Sequence, residues 1–259
     1  FTSDDGTRVP MTLVMPESYS SSGAEPRPVV LYGYGGWGQS VFPWYDPFVA
    51  DWVGAGGIYA VANIRGGGEF GREWHEAGRR HNKHNVFDDF RSAADYLVDT
   101  GMTTRTRLGI RGFSNGGLLM GVMLTRYPER FGAVSAHIAA FDLSEFRHQP
   151  VCGARAGRSE RRVRLRLPHE LPPYHRVAPG TKYPPILISS GGGDTRLEAH
   201  SSLRMAARLQ AASPNTVLLR YDADQGHGMH RAVTPIARQA RHDAEELAFF
   251  AAHLGLDAG

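Results

Sequence analysis

The chain has 259 residues, of which 41% are hydrophobic, and its formal net charge is +3. This length and apolar content predict one compact domain that spans residues 1–259 around a large core. Six arginines lie within residues 155–166, and because no aromatic residues are interleaved there we expect no nucleic-acid partner. The single cysteine, Cys152, excludes an intrachain disulfide, and no apolar run reaches membrane-spanning length, so we expect a cytoplasmic protein without membrane contact.

Strand-like and helix-like segments alternate along the chain. Residues 7–15 alternate apolar and polar side chains like the edge strand of a hairpin, and residues 16–28 form a turn-rich connector. Further strands are predicted at 28–32, 58–63, 107–112, 133–139, 185–190 and 216–221, and helices at 87–100, 118–127, 198–212 and 234–254. This order predicts an α/β fold with a mostly parallel central sheet, helices on both faces and a ligand site at the carboxyl ends of the strands.

A serine lies in a glycine-rich turn between a predicted strand and a predicted helix. Residues 112–116 read GFSNG, which matches the G-x-S-x-G pattern of a nucleophile elbow. The glycines suit a turn so sharp that side chains there would collide with neighbouring backbone. We therefore expect Ser114 to be a catalytic nucleophile; the alternative is an ordinary turn in which the serine caps a helix.

A serine hydroxyl needs a base and an acid that orients the base. In the α/β-hydrolase fold these residues follow the serine in the order acid, then histidine. His227 lies between two glycines after the last predicted strand, and Asp194 follows the strand at 185–190. We expect these two to complete a triad, with Asp222 and Asp224 on the histidine's own loop as the alternative acids.

The oxyanion that forms during acyl transfer needs two preorganised donors. The first is expected to be the backbone amide of Asn115, because it directly follows the nucleophile. The second should come from the loop that follows the strand at 28–32, where residues 32–37 read YGYGGW.

Several motifs in fixed order closely resemble the catalytic domain of prolyl oligopeptidases. They are LYGYGG at 31–36, NIRGGGEFG at 63–71, WH at 74–75, NVFDDF at 85–90 and SNGGLL at 114–119. The resemblance runs from about residue 1 to residue 147 and resumes at residue 173. It implies an α/β-hydrolase fold and cleavage of short peptides after proline through an acyl-enzyme, with neither a metal nor an organic cofactor.

The resemblance also implies roles for individual residues. Tyr34 would supply its hydroxyl as the second donor of the oxyanion hole. Trp37 and the side chain of Asn115 would line the pocket for proline. Arg196 would bind a substrate carbonyl next to that proline.

Two departures from the family pattern bear on these expectations. Members carry an N-terminal β-propeller, whereas this chain has no blade-like repeats and begins at Phe1, so we expect upstream sequence to be missing. Residues 151–171 are arginine-rich where the family has aromatic and acidic residues of the pocket wall. We interpret this segment as the product of a local double frameshift, which leaves the proline pocket open to question.

Two other functions fit the same residues. The triad could serve an esterase or an aminoacyl-peptidase, since fold and triad do not fix the acyl substrate. The chain could also be a non-catalytic fragment of a larger peptidase. Convergence of Trp37 and Arg196 on a small pocket beside Ser114 would favour the proline peptidase.

Overall fold

The computed structural model describes residues 1–19, 25–42, 44–142, 172–197, 199–227 and 234–256. The arginine-rich segment at 151–171 and Cys152 lie outside the described residues, so the frameshift hypothesis stays a prediction.

The described strands form one sheet in the order β1-β3-β2-β4-β5-β6-β7. They are β1 Met11–Val14, β2 Val29–Gly33, β3 Ile58–Ala62, β4 Leu108–Phe113, β5 Ala133–His137, β6 Ile186–Gly191 and β7 Val217–Asp222. Strand β1 is antiparallel to β3, and every other recorded pairing is parallel. The predicted mostly parallel sheet is confirmed.

Helices connect the parallel strands. They are α1 Pro47–Gly54, α2 Arg72–Glu76, α3 Lys83–Asp99, α4 Asn115–Arg126, α5 Pro173–Arg176, α6 His200–Ala212 and α7 Ile236–Leu254. Short 3-10 turns lie at Arg80–Asn82, Arg105–Arg107 and Pro128–Arg130.

The sheet separates two apolar layers, because successive side chains of a strand point to opposite faces. In β2, Leu31 belongs to the layer that also contains buried residues of α3, α4 and α6. Its neighbour Val30 belongs to the layer that contains buried residues of α1 and α7. Helices therefore cover both faces of the sheet, as predicted.

The structure differs from the predicted elements at several places, among them the start of α3, which lies at Lys83 rather than at residue 87. Strand β1 forms no hairpin with β2 but pairs with β3, because the long connector after β1 lets β3 lie between the two. Helix α1 was not predicted. Its start carries an N-cap, because the Asp46 side chain accepts a hydrogen bond from the Phe48 amide, and Pro47 occupies its first turn. Helix α4 begins at Asn115 rather than at residue 118, since packing against β4 and β5 overrides the low helix propensity of its two glycines.

Candidate active site

Ser114 occupies a strained turn between β4 and α4. Its φ of 53° and ψ of −109° lie outside the regions that non-glycine residues usually adopt. The Ser114 amide donates to the His137 carbonyl at 2.9 Å, which fixes the turn against β5. A side chain at Gly116 would lie 2.7 Å from the Gly33 carbonyl oxygen, so this position needs glycine for α4 to pack against β2. The turn presents the Ser114 hydroxyl at the carboxyl end of the sheet.

A hydrogen-bonded chain of three side chains begins at Ser114. Its Oγ lies 3.2 Å from Nε2 of His227, and Nδ1 of the same imidazole lies 2.8 Å from Oδ2 of Asp194. The three residues come from the loops after β4, β7 and β6, which all open at the carboxyl edge of the sheet. The structure thus brings together the three residues that the sequence predicted as a triad.

Two glycine-rich loops hold Asp194 and His227 next to each other. The Gly192 amide donates to the Asp222 carbonyl and the Gly193 amide to the Gln225 carbonyl, each at 2.9 Å. A side chain at Gly191 would collide with that Gln225 carbonyl. The glycine run therefore lets the loop that carries Asp194 pack directly against the loop after β7.

The Asp194 carboxylate is buried and well satisfied. Its Oδ1 accepts from the amides of Arg196 at 2.8 Å and Leu197 at 2.9 Å, while Oδ2 faces His227. Burial alone would raise the pKa of Asp194, but the His227 hydrogen bond and these amides outweigh burial and hold the pKa below its ordinary value. The carboxylate is therefore ionised at neutral pH and can stabilise an imidazolium.

The two alternative acids are engaged elsewhere. Asp222 faces His242 of α7 at 3.3 Å, and the exposed Asp224 forms a two-point ion pair with Arg238 at 3.0 Å. This geometry favours Asp194 as the partner of His227.

Two donors flank the serine. Asn115 is the first residue of α4, so its backbone amide has no acceptor within the helix. Burial raises the pKa of the Tyr34 phenol, and the Ser114 hydroxyl and the Arg196 charge oppose that rise. The phenol is therefore neutral at pH 7 and can donate a hydrogen bond.

The three residues predicted to line the substrate pocket differ from one another in exposure and in contacts. The Trp37 side chain is 60% exposed and sits in a tight turn with a φ of 58°. Arg196 is exposed on the loop after β6, within electrostatic reach of Tyr34. The Asn115 side chain is turned to the loop after β2, where its Nδ2 donates to the Tyr34 carbonyl at 2.5 Å. Their pocket roles remain predictions.

Sequence reasoning missed Lys83, which lies beside this loop. Its Nζ donates to the Gly35 carbonyl at 2.8 Å and lies 3.4 Å from Oδ1 of Asn115. No signal in the sequence pointed to it, because the predicted helix began at residue 87 and left Lys83 outside its first turn.

A second feature that was missed is a buried charged network behind the nucleophile. The Arg111 guanidinium of β4 binds Glu246 of α7 at 2.8 and 2.9 Å, and Glu246 also lies 2.7 Å from Nε2 of His137. The His137 ring stacks on Phe113, with ring centres 4.4 Å apart. This network supports the residue that precedes Ser114.

Among the described residues, no group of three or more His, Cys, Asp or Glu side chains is arranged to hold a metal ion. Within the same residues, no helix has the length and apolar character needed to cross a membrane.

Known proteins are similar to this chain in sequence and in fold. A sequence model of the prolyl oligopeptidase family matches residues 43–257. The chain belongs to the prolyl oligopeptidase family. A prolyl endopeptidase of Elizabethkingia miricola is 34% identical over 262 residues, which cover 99% of this chain but 36% of that protein. The chain thus spans about a third of the length of this relative.

Solved structures of the family superpose on the described fold. A post-proline cleaving enzyme from Rickettsia typhi is similar with a TM-score of 0.85 and 30% identity, over 98% of this chain and 37% of that one. Prolyl oligopeptidase B from Galerina marginata, bound to a 25mer macrocyclization substrate, gives a TM-score of 0.86 and 33% identity, over 100% and 36%. These similarities confirm the predicted α/β-hydrolase fold and the predicted family.

Proposed function

We propose that the chain is a serine peptidase domain that hydrolyses short peptides after proline through an acyl-enzyme. The observation that carries the proposal is the hydrogen-bonded chain from Ser114 through His227 to Asp194 at the carboxyl edge of the sheet. That arrangement supplies a nucleophile, a base and an orienting carboxylate in the positions that acyl transfer requires.

In the acylation step, Ser114 Oγ attacks the carbonyl carbon of the scissile bond while His227 Nε2 takes the hydroxyl proton. The ionised Asp194 holds Nδ1 protonated and stabilises the imidazolium. The oxyanion that forms accepts hydrogen bonds from the Asn115 amide and the Tyr34 hydroxyl. His227 then gives its proton to the leaving amine, and the acyl group stays on Ser114 as an ester.

Deacylation repeats these steps with water as the nucleophile. His227 takes a proton from water, the resulting hydroxide attacks the ester carbonyl, and the same two donors bind the second oxyanion. Collapse of this intermediate returns the proton to Ser114 Oγ and releases the acid product. No redox change or metal is required in this sequence.

Selectivity for proline rests on the relatives and on the loops beside the serine. The E. miricola relative is named a prolyl endopeptidase and the R. typhi structure a post-proline cleaving enzyme. In this chain, Arg196 would donate to a substrate carbonyl, while Trp37 and Asn115 would face the proline ring.

The test compares the chain with its Ser114→Ala variant on a chromogenic Gly-Pro amide and on a simple acyl ester. We expect amide turnover that Ser114→Ala lowers by about four orders of magnitude or more, because the nucleophile is lost. Ester cleavage alone would contradict proline selectivity and would favour an esterase. Inactivity on both substrates would overturn the peptidase and would favour a non-catalytic fragment.

The proposal extends to the setting of the protein. We propose that residues 1–259 form one hydrolase domain and that its substrates are short peptides. A propeller domain would be its partner in the longer protein. The single cysteine supports a reducing compartment, and we place the protein in the cytoplasm. Cell fractionation with an antibody against the chain checks the location.

A further inference from the structure

Lys83 has an unusual place for a lysine. It is the first residue of α3, where the positive end of the helix dipole disfavours a cation. Among the described residues, the structure records no carboxylate within ion-pairing distance of its ammonium; the recorded partners are two oxygens and the Phe87 ring at 5.9 Å. Burial lowers the pKa of Lys83 to about 8, as expected for a cation partly withdrawn from water.

The two oxygen partners belong to the two segments that carry the oxyanion donors. One is the Gly35 carbonyl, in the loop that begins with Tyr34, and the other is Oδ1 of Asn115, at the start of α4. The Asn115 amide group in turn donates to the Tyr34 carbonyl at 2.5 Å. One ammonium and one side-chain amide therefore connect two successive carbonyls of the loop to α4.

The loop after β2 packs closely on the Asn115 side chain. A side chain at Gly36 would lie 2.5 Å from Nδ2 of Asn115, so the loop lies directly on that amide. Two contacts fix the orientation of the Asn115 amide, because a flipped amide would present its oxygen to the Tyr34 carbonyl and its NH₂ group to the Lys83 ammonium.

We infer that Lys83 is a positioning residue for the oxyanion hole: by joining the Gly35 carbonyl to the Asn115 side chain, it fixes the Tyr34 hydroxyl and the Asn115 amide relative to Ser114. This inference rests on the proposed function. The oxyanion exists only in the tetrahedral intermediates and the transition states that resemble them, so loss of Lys83 affects the rate of the chemical step more than substrate binding.

The first experiment measures kcat and KM for the Gly-Pro amide with Lys83→Met. A displaced donor lowers kcat by on the order of 10- to 100-fold with little change in KM. Lys83→Arg keeps a cation and its donors and is expected to recover most of the rate, whereas Lys83→Gln cannot reach both oxygens and is expected to recover little. Lys182→Met is the matched control, because Lys182 is the chain's other lysine and is exposed.

A pair of inhibitors separates positioning from general damage. A Gly-prolinal peptide accepts Ser114 Oγ at its aldehyde carbon, the hydroxyl proton passes to His227, and the new oxyanion occupies the hole. The matching prolinol peptide has no carbonyl to attack. We expect Lys83→Met to raise the inhibition constant of the aldehyde by about the factor by which it lowers kcat. The inhibition constant of the alcohol should rise by no more than about twofold.

The positioning role would be overturned if Lys83→Met lost equal affinity for the aldehyde and the alcohol. It would also be overturned if the variant kept the wild-type kcat and the wild-type affinity for the aldehyde. Thermal unfolding of each variant establishes that it is folded, and if Lys83→Met does not fold, Lys83→Gln and Lys83→Arg carry the same comparison. A wild-type chain that neither cleaves the amide nor binds the aldehyde more tightly than the alcohol would instead overturn the proposed function, and the positioning role with it.

Discussion

The two oxygens of the Asp194 carboxylate have different hydrogen-bond partners. Oδ1 accepts two backbone amides of its own loop, and Oδ2 faces His227 at 2.8 Å. An asparagine could keep the first pair of hydrogen bonds while its NH₂ group faced Nδ1 of the imidazole. The substitution thus separates the fold of the loop from the orientation and charge of the histidine.

Asp194→Asn is expected to lower kcat for the Gly-Pro amide by about 10⁴-fold, because the imidazole then takes the wrong tautomer and loses its anionic partner. The melting temperature should change little by comparison, since the loop hydrogen bonds can remain. Steady-state kinetics together with thermal unfolding measures both effects.

Asp224→Asn is the matched control for this prediction. Asp224 lies in the loop after β7 but is exposed and paired with Arg238, so its neutralisation should leave kcat within about twofold of the wild type. A large loss of kcat in Asp224→Asn with a mild effect of Asp194→Asn would reverse the assignment of the acid.

Single residues differ in how far the sequence determines them. The coming together of Ser114, Asp194 and His227 could be predicted, because each follows a strand and the chain order matches that of a triad. Lys83 could not, because its partners are a backbone carbonyl and an amide oxygen from two remote segments. Contacts of that kind depend on how loops pack in three dimensions, and no sequence spacing encodes them.

At the scale of elements, the last helix is joined to the nucleophile strand by a buried ion pair. Glu246 of α7 binds Arg111 of β4 and lies against His137 of β5. Burial alone would raise the pKa of Glu246, but the Arg111 charge and the His137 contact outweigh it, so its pKa lies below the ordinary range. The carboxylate is therefore charged in the folded protein at every pH near neutral.

Glu246→Gln should destabilise the fold by about 3–5 kcal/mol at pH 7, because it leaves the buried Arg111 short of its main counter-charge. The wild-type advantage should be complete above the unfolded pKa of a glutamate, about 4.3, and should shrink as pH falls toward the lower folded pKa. Denaturant unfolding at pH 7 and at about pH 3.5 measures the difference.

The neighbouring Glu245 provides the control for this prediction. It lies on the same helix but is 48% exposed and pairs with Arg220 at 3.3 Å. Glu245→Gln should change the free energy of unfolding by no more than about 0.5 kcal/mol at either pH. A Glu246→Gln variant as stable as Glu245→Gln would show that the buried network contributes little.

The positions of strands and helices could be predicted where the spacing of apolar residues distinguishes the two. The parallel strands and the long helices were predicted to within a few residues, because buried strands and amphipathic helices have distinct apolar patterns. The partner of β1 was not, since alternation of side chains specifies a face and not a neighbour. Helix α1 buries Phe48 and Trp52 and carries its start signal at Asp46 and Pro47, so its capping pattern is readable in the sequence.

At the scale of the molecule, one sheet supports two apolar layers. Leu97 of α3 is buried in one layer and Leu187 of β6 in the other. The strands that form the shared sheet also position Ser114 and Asp194, so neither layer can unfold without disturbing the site. This geometry predicts cooperative unfolding of the described core, and the single domain at 1–259 stays a prediction.

Leu97→Ala and Leu187→Ala should each reduce the free energy of unfolding by about 2–5 kcal/mol, because each leaves a cavity in a packed layer. The sheet separates the two sites, so the double variant should lose the sum to within about 0.5 kcal/mol. Circular dichroism, intrinsic fluorescence and loss of amide turnover should then report one coincident transition in every variant. Two transitions, with each substitution shifting only one of them, would mean that the chain contains two independently folding units and that the triad depends on the association of both.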